Sequence, residues 1–144
     1  MSSEGGYSND NLFDCSKVYL RNIPGKGAST FAKVAIKAGE MVEFGIMRRL
    51  PKSFDGNESE YVFCWSDDIP NTTWTFSSGA AAFYNTSLTP NTHMTRIFDE
   101  DRFEIHAVRD IEANEELTHK YKSLEWRQCW SDLRNDLGVV SEKE

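Results

Sequence analysis

Cysteine, basic charge and long apolar runs are all scarce in this chain, and each shortage removes a class of function. Three cysteines, Cys15, Cys64 and Cys129, stand far apart in 144 residues. An odd count with no paired spacing argues against a disulfide framework and against a zinc site. No metal is therefore expected, and the compartment reads as intracellular and reducing, nucleus or cytoplasm. No window comes near the roughly 18 apolar residues of a membrane-spanning helix. The opening Met1-Ser2-Ser3-Glu4-Gly5-Gly6 carries neither the basic region nor the apolar segment of a secretory signal. Lys and Arg number 16 against 23 Asp and Glu, a net charge of −7. That balance argues against direct nucleic-acid binding, which leans on cations facing phosphates, and it suits a basic peptide partner.

What is present suffices for one packed domain: 39% hydrophobic and 12% aromatic residues over 144 positions. Residues 1–12 are small and polar and read as a loose arm. Val18-Tyr19-Leu20 starts a strand. A turn follows at residues 24–29, where Gly25 and Gly27 permit close backbone approach to a ligand. Residues 41–47 read as a largely buried strand, 52–60 as a surface loop, and the β-branched and aromatic run 61–65 as another strand. Asp67 and Asp68 sit in a turn and, with no further ligands nearby, read as solvated rather than metal-binding. Residues 95–98 and 103–108 read as a hairpin across the acidic turn Asp99-Glu100-Asp101. Two Ile-led turns, Ile36-Lys37-Ala38-Gly39 and Ile111-Glu112-Ala113-Asn114, repeat one pattern. In the tail, Leu124, Trp126, Trp130, Leu133 and Leu137 predict an amphipathic helix over 123–138, capped by Ser123 and ended by Gly138. Residues 139–144 read as a disordered tail.

The stretch from Tyr84 to Tyr121 carries the chemistry. Gly25-Lys26-Gly27 with Phe31, Tyr61-Val62-Phe63, residues 83–91 and residues 115–121 occur in the order and spacing of a known family. Phe83-Tyr84-Asn85-Thr86-Ser87-Leu88-Thr89-Pro90-Asn91 is similar to Phe-Ile-Asn-His-Ser-Cys-x-Pro-Asn. Glu115-Glu116-Leu117-Thr118-His119-Lys120-Tyr121 resembles Glu-Glu-Leu-Thr-Tyr-Asp-Tyr. Over about residues 18–130 the chain resembles a SET domain, the fold of many protein lysine methyltransferases. The resemblance implies a mainly β (α+β) fold of several small curved sheets, a knot-like C-terminal segment and a C-terminal helix, with the SET-like domain over 13–122.

It also implies S-adenosylmethionine as cofactor and a protein lysine, on a basic histone-like peptide, as substrate. Tyr121 matches the catalytic tyrosine that orients the amine. Lys26 and Gly27 match backbone beside the methionine portion of the cofactor. Tyr84, Asn85 and Thr86 match positions around its amino-acid end and adenine, and Trp126 an aromatic near the adenine. Tyr61, Met94 and His119 match the lysine channel, although Met94 also suits an ordinary core position. The chain departs from the family pattern at Thr86 (for His), Leu88 (for Cys), Ala82 (for Arg), His119 (for Tyr) and Lys120 (for Asp). These changes leave a second reading open, a SET-fold module that has lost transfer and binds a peptide or protein partner. A domain this small is also compatible with a homodimer.

Overall fold

The computed structural model describes residues 11–66, 73–121 and 128–138. Its centre is a five-stranded sheet in the order β4-β5-β3-β8-β7, formed by β3 (Met41–Arg49), β4 (Phe63–Cys64), β5 (Trp74–Ser77), β7 (Thr92–Ile97) and β8 (Arg102–Ala107). Two smaller sheets flank it, the hairpin β1 (Val18–Ile23) with β2 (Gly27–Ala32), and the parallel pair β6 (Asn85–Thr86) with β9 (Thr118–His119). One short helix, α1 (Ser131–Leu137), follows a 3-10 turn at Gln128–Trp130.

β3 pairs antiparallel with β5 on one side and β8 on the other, so its near-continuous run of buried residues becomes the middle of the sheet. β8 alternates buried and half-buried residues, placing Phe103, Ile105 and Ala107 in the core. The β7–β8 connection is a 3-10 turn at Phe98–Glu100 ending on left-handed Asp101. Asp101 does more than turn the chain. Its carboxylate accepts from Arg49 Nε at 3.0 Å and from the Trp65 indole N–H at 3.1 Å, tying the turn to β3 and to the end of β4. The strand predicted at 61–65 shrinks to Phe63–Cys64, which pair with Thr75 and Trp74 of β5, while Tyr61 lies in a turn with 64% of its surface exposed.

The two Ile-led turns meet. Ile36 and Ile111 form an antiparallel bridge, with N–H···O distances of 2.9 and 2.7 Å, and both side chains are buried. Each turn is closed by a glutamate: Glu40 accepts from the Lys37 N–H at 2.8 Å and Glu115 from the Glu112 N–H at 2.9 Å. The fourth residue is left-handed in both, Gly39 (φ 86°) and Asn114 (φ 71°), the residue types that tolerate this region best. The bridge delivers the chain to the closing segment, where Ala32 N–H donates to Glu115 O at 2.9 Å and Leu117 N–H to Thr30 O at 2.9 Å. Residues 114–117 are thereby added along the edge of β2.

In the tail, Gly138 ends α1 with its N–H directed at Arg134 O and Asn135 O. Of the helix expected over 123–138, the described residues show the 3-10 turn at Gln128–Trp130 followed by α1 from Ser131. Ser123 and Trp126 lie outside the described residues, as do residues 1–10 of the arm predicted at 1–12, the acids Asp67 and Asp68, and the tail at 139–144.

Gly45 is a sharp packing constraint on this sheet. A Cβ there would stand 2.8 Å from the ring of Phe103, its register partner on β8, and would collide with Ser78 Oγ. Gly45→Ala is expected to lower stability by about 1–3 kcal/mol through overpacking, read as a lower urea midpoint at unchanged slope. An unchanged midpoint would contradict this packing.

Candidate functional site

Two stretches distant in sequence cross at β6 and β9, and side-chain amides fasten the crossing. Asn91 is 2% exposed, and its Oδ1 accepts from the Thr118 N–H at 2.8 Å while its Nδ2 donates to Glu116 O at 2.8 Å. Thr92 Oγ1 donates to Thr118 O at 2.8 Å, and Ser87 N–H to His119 O at 3.1 Å. Asn85 Nδ2 donates both to Ser29 Oγ at 2.8 Å and to Glu116 Oε2 at 2.7 Å, and Ser29 Oγ donates to Gly27 O at 3.0 Å. Gly27, Ser29, Asn85 and Glu116 therefore form one hydrogen-bonded group. Both amide hydrogens of Asn85 are used within the protein, leaving its carbonyl oxygen for a ligand.

A cavity of about 120 Å³ lies beside the crossing. Its wall includes Tyr84, Met94, His119, Tyr121 and Trp130, with Ala81 and Ala82 from the 3-10 turn Ala81–Phe83. Four rings follow one another: Tyr84 to His119 at 5.5 Å, His119 to Tyr121 at 5.3 Å edge-on, and Tyr121 to Trp130 at 4.5 Å. The Tyr121 hydroxyl donates to the Tyr84 carbonyl at 2.9 Å, and its backbone N–H donates to Thr86 Oγ1 at 3.1 Å. Arg96, Lys120, His93 and Glu60 also reach the cavity lining.

Burial sets the charge state of the site. His119 is 5% exposed, and desolvation, aided by the charges of Arg96 and His93, lowers its pKa to about 3, so the ring is neutral at pH 7. Desolvation, reinforced by the Glu60 carboxylate, pushes the Tyr121 hydroxyl above its ordinary value, so it stays protonated. Beneath the wall, Glu43 is 1% exposed and raised to about 7, chiefly by burial.

The model of the family named "SET domain" matches residues 27–122. This chain belongs to the SET domain family. A comparison with curated protein sequences finds no match. Among solved structures, the SET domain is similar to a Plasmodium falciparum protein whose crystal structure is titled "putative histone methyltransferase". The two share 20% identity at a TM-score of 0.57, over 73% of this chain and 92% of that one. The fold is thus the mainly β SET fold of small sheets with a C-terminal helix.

The SET domain gathers some of the sequence-derived candidates and separates others. Met94, His119 and Tyr121 share the cavity, and Met94 also belongs to the core cluster. Tyr61 does not join them; its neighbours Glu60 and Val62 line the cavity while its own ring faces outward. Tyr84 sits on the cavity wall with its hydroxyl turned into the core toward Glu43 and its carbonyl accepting from Tyr121. Lys26 lies in the exposed β1–β2 turn, Gly27 opens β2, and Thr86 lies at the crossing. Trp126 is outside the described residues. Two participants had no clear sequence signal. Trp130, one apolar position of the predicted tail helix, stacks on Tyr121, and Glu43 sits inside the predicted buried strand at 41–47. Among the described residues, no group of three or more His, Cys, Asp or Glu is placed to hold a metal.

Glu43 and His119 give opposite pH dependences. Glu43 is raised from 4.5 to about 7, so the folded state binds the extra proton and this stability is lost as pH rises through that interval. His119 is lowered from 6.5 to about 3, so its stability is present above 6.5 and lost as pH falls. Between pH 4.5 and 6.5 the two slopes oppose each other. Relative to wild type, acidification through this range should weaken Glu43→Gln and strengthen His119→Phe, each by up to about 1.4 kcal/mol per pH unit. Chemical denaturation at stepped pH measures both. Curves parallel to wild type for the two variants would contradict these assignments.

Proposed function

We propose that this SET domain transfers a methyl group from S-adenosylmethionine to the ε-amine of a protein lysine, in an intracellular compartment. The observation that carries the proposal is the Tyr121 hydroxyl, donated to the Tyr84 carbonyl at 2.9 Å on the wall of a ring-lined cavity. The residues beside β6 fit the cofactor. Gly27 is left-handed (φ 81°), and nothing lies within 4 Å of where its Cβ would stand, so backbone is open to a ligand. The carbonyl of Asn85 and the carboxylate of Glu116 supply acceptors suited to a cationic ligand.

When bound, S-adenosylmethionine supplies an electrophilic methyl on a sulfonium, already a good leaving group. The protein's share is alignment and charge control. Tyr121, protonated and donating to Tyr84 O, turns its oxygen lone pairs to the cavity, where they accept an amine N–H and direct the nitrogen lone pair. The amine must arrive uncharged, against an ordinary pKa near 10.4. Apolar walls such as Met94 and Ala81 disfavour the ammonium form, and the cations Arg96 and Lys120 in the lining act in the same direction. Neutral His119 adds a flat wall without competing for the proton.

A histone substrate is supported by the name of the structural neighbour and by the net charge of −7. The outward position of Tyr61 favours the second reading, a peptide-binding SET module without transfer, since it leaves the channel with one aromatic fewer. Labelled methyl from S-adenosylmethionine, offered with histones and a cell lysate, separates the two. Wild type should label protein lysines, and Tyr121→Phe should lower the rate by about 100-fold, the scale of one lost transition-state contact. Equal labelling by both proteins, or none from wild type, would overturn the proposal; cofactor binding without label would favour the second reading.

A further inference from the structure

A buried carboxylate grips both ends of the turn that forms the cavity wall. Glu43 lies on β3, the middle strand of the main sheet. Its Oε2 accepts from the Ala80 N–H at 2.7 Å, and its Oε1 accepts from the Tyr84 hydroxyl at 2.8 Å. Ala80 and Tyr84 are the two caps of the 3-10 turn Ala81–Phe83. From this turn Ala81 and Ala82 line the cavity, and at its end the Tyr84 carbonyl receives the Tyr121 hydroxyl. Gly79 packs so closely that a Cβ there would collide with Glu43 Oε2. The family pattern quoted for residues 83–91 has Ile at the position of Tyr84, and an isoleucine cannot make this bond.

We propose that Glu43 is a positioning residue of the transfer site, acting through Tyr84 to fix the carbonyl that orients the Tyr121 hydroxyl. Its functional meaning rests on the methyl-transfer reading above. The carboxylate can accept from Ala80 and Tyr84 together. Once protonated, the oxygen that carries the hydrogen becomes a weaker acceptor, so one of the two bonds is weakened or, at the Tyr84 hydroxyl, reversed. The ionisable groups around Glu43 are the Tyr84 hydroxyl, and Asp14 and Cys15 from the segment bridged to Phe44. Asp14 opposes ionisation of Glu43, and burial does so more strongly, which places the change near neutral pH.

The test uses Glu43→Gln and Tyr84→Phe beside wild type, with 13C at tyrosine Cζ and the Tyr121 signal assigned through Tyr121→Phe. The Tyr121 signal should shift in both variants. In wild type it should titrate near pH 7, and in Glu43→Gln it should not. In turnover, kcat should fall about tenfold in each, the scale of one hydrogen bond, while KM for the peptide and Kd for the cofactor stay within about twofold. The inflection near pH 7 in the wild-type kcat profile should be absent from Glu43→Gln. Should Glu43→Gln fail to fold, Tyr84→Phe, which loses a single hydroxyl, carries the test. A Tyr121 signal and kcat unchanged in the folded variants would overturn the proposal. Should wild type transfer no methyl while its Tyr121 signal still follows Glu43, the positioning stands and the transfer reading falls.

Discussion

The side-chain amide of Asn91 holds the rest of the site together. An amide buried this deeply costs stability unless its donors and acceptor are matched, and here it substitutes for backbone, accepting from Thr118 N–H and donating to Glu116 O. The crossing of β6 and β9 is only two residues per strand, too short to define itself by strand pairing. Asn91, with Thr92 and Asn85, fixes its register. From that register follow the placement of Asn85 against Ser29, of Thr86 against the Tyr121 N–H, and of the Tyr121 hydroxyl against Tyr84 O.

Around this clamp, burial keeps the His119 and Tyr121 rings uncharged. His119 is neutral and Tyr121 protonated because the cavity wall excludes water from both. The departures from the family pattern acquire local explanations. Thr86, in place of histidine, offers its hydroxyl to the Tyr121 backbone. Tyr84, in place of isoleucine, reaches the Glu43 carboxylate. His119, in place of tyrosine, fills the gap between the Tyr84 and Tyr121 rings.

Much of the fold was legible in the sequence because its signals are local. The buried run at β3, the hairpin across Asp99-Glu100-Asp101 and the twin Ile turns each declare themselves within a few residues, and the twin turns prove to be partners. Motif order marked Tyr121 and Asn85 because those residues sit in runs specific enough to align. The rest depends on which way a side chain faces, which type and spacing do not encode. Tyr61 has the composition of a strand residue yet points to solvent, while Trp130, one of two tail tryptophans four residues apart, lies against Tyr121. Glu43 was obscured by its apolar neighbours. A lone acid in a buried strand needs partners, and that question would have singled it out from the sequence.

If the crossing of residues 84–91 with 115–121 is the ligand site, backbone amide NMR during titration with S-adenosylhomocysteine, the demethylated cofactor, will reveal it. Saturable shifts are expected at Gly27, Ser29, Asn85 and Thr86 together with Thr118 to Tyr121, on both sides of the crossing. No shifts, or shifts confined to residues away from it, would place the ligand elsewhere.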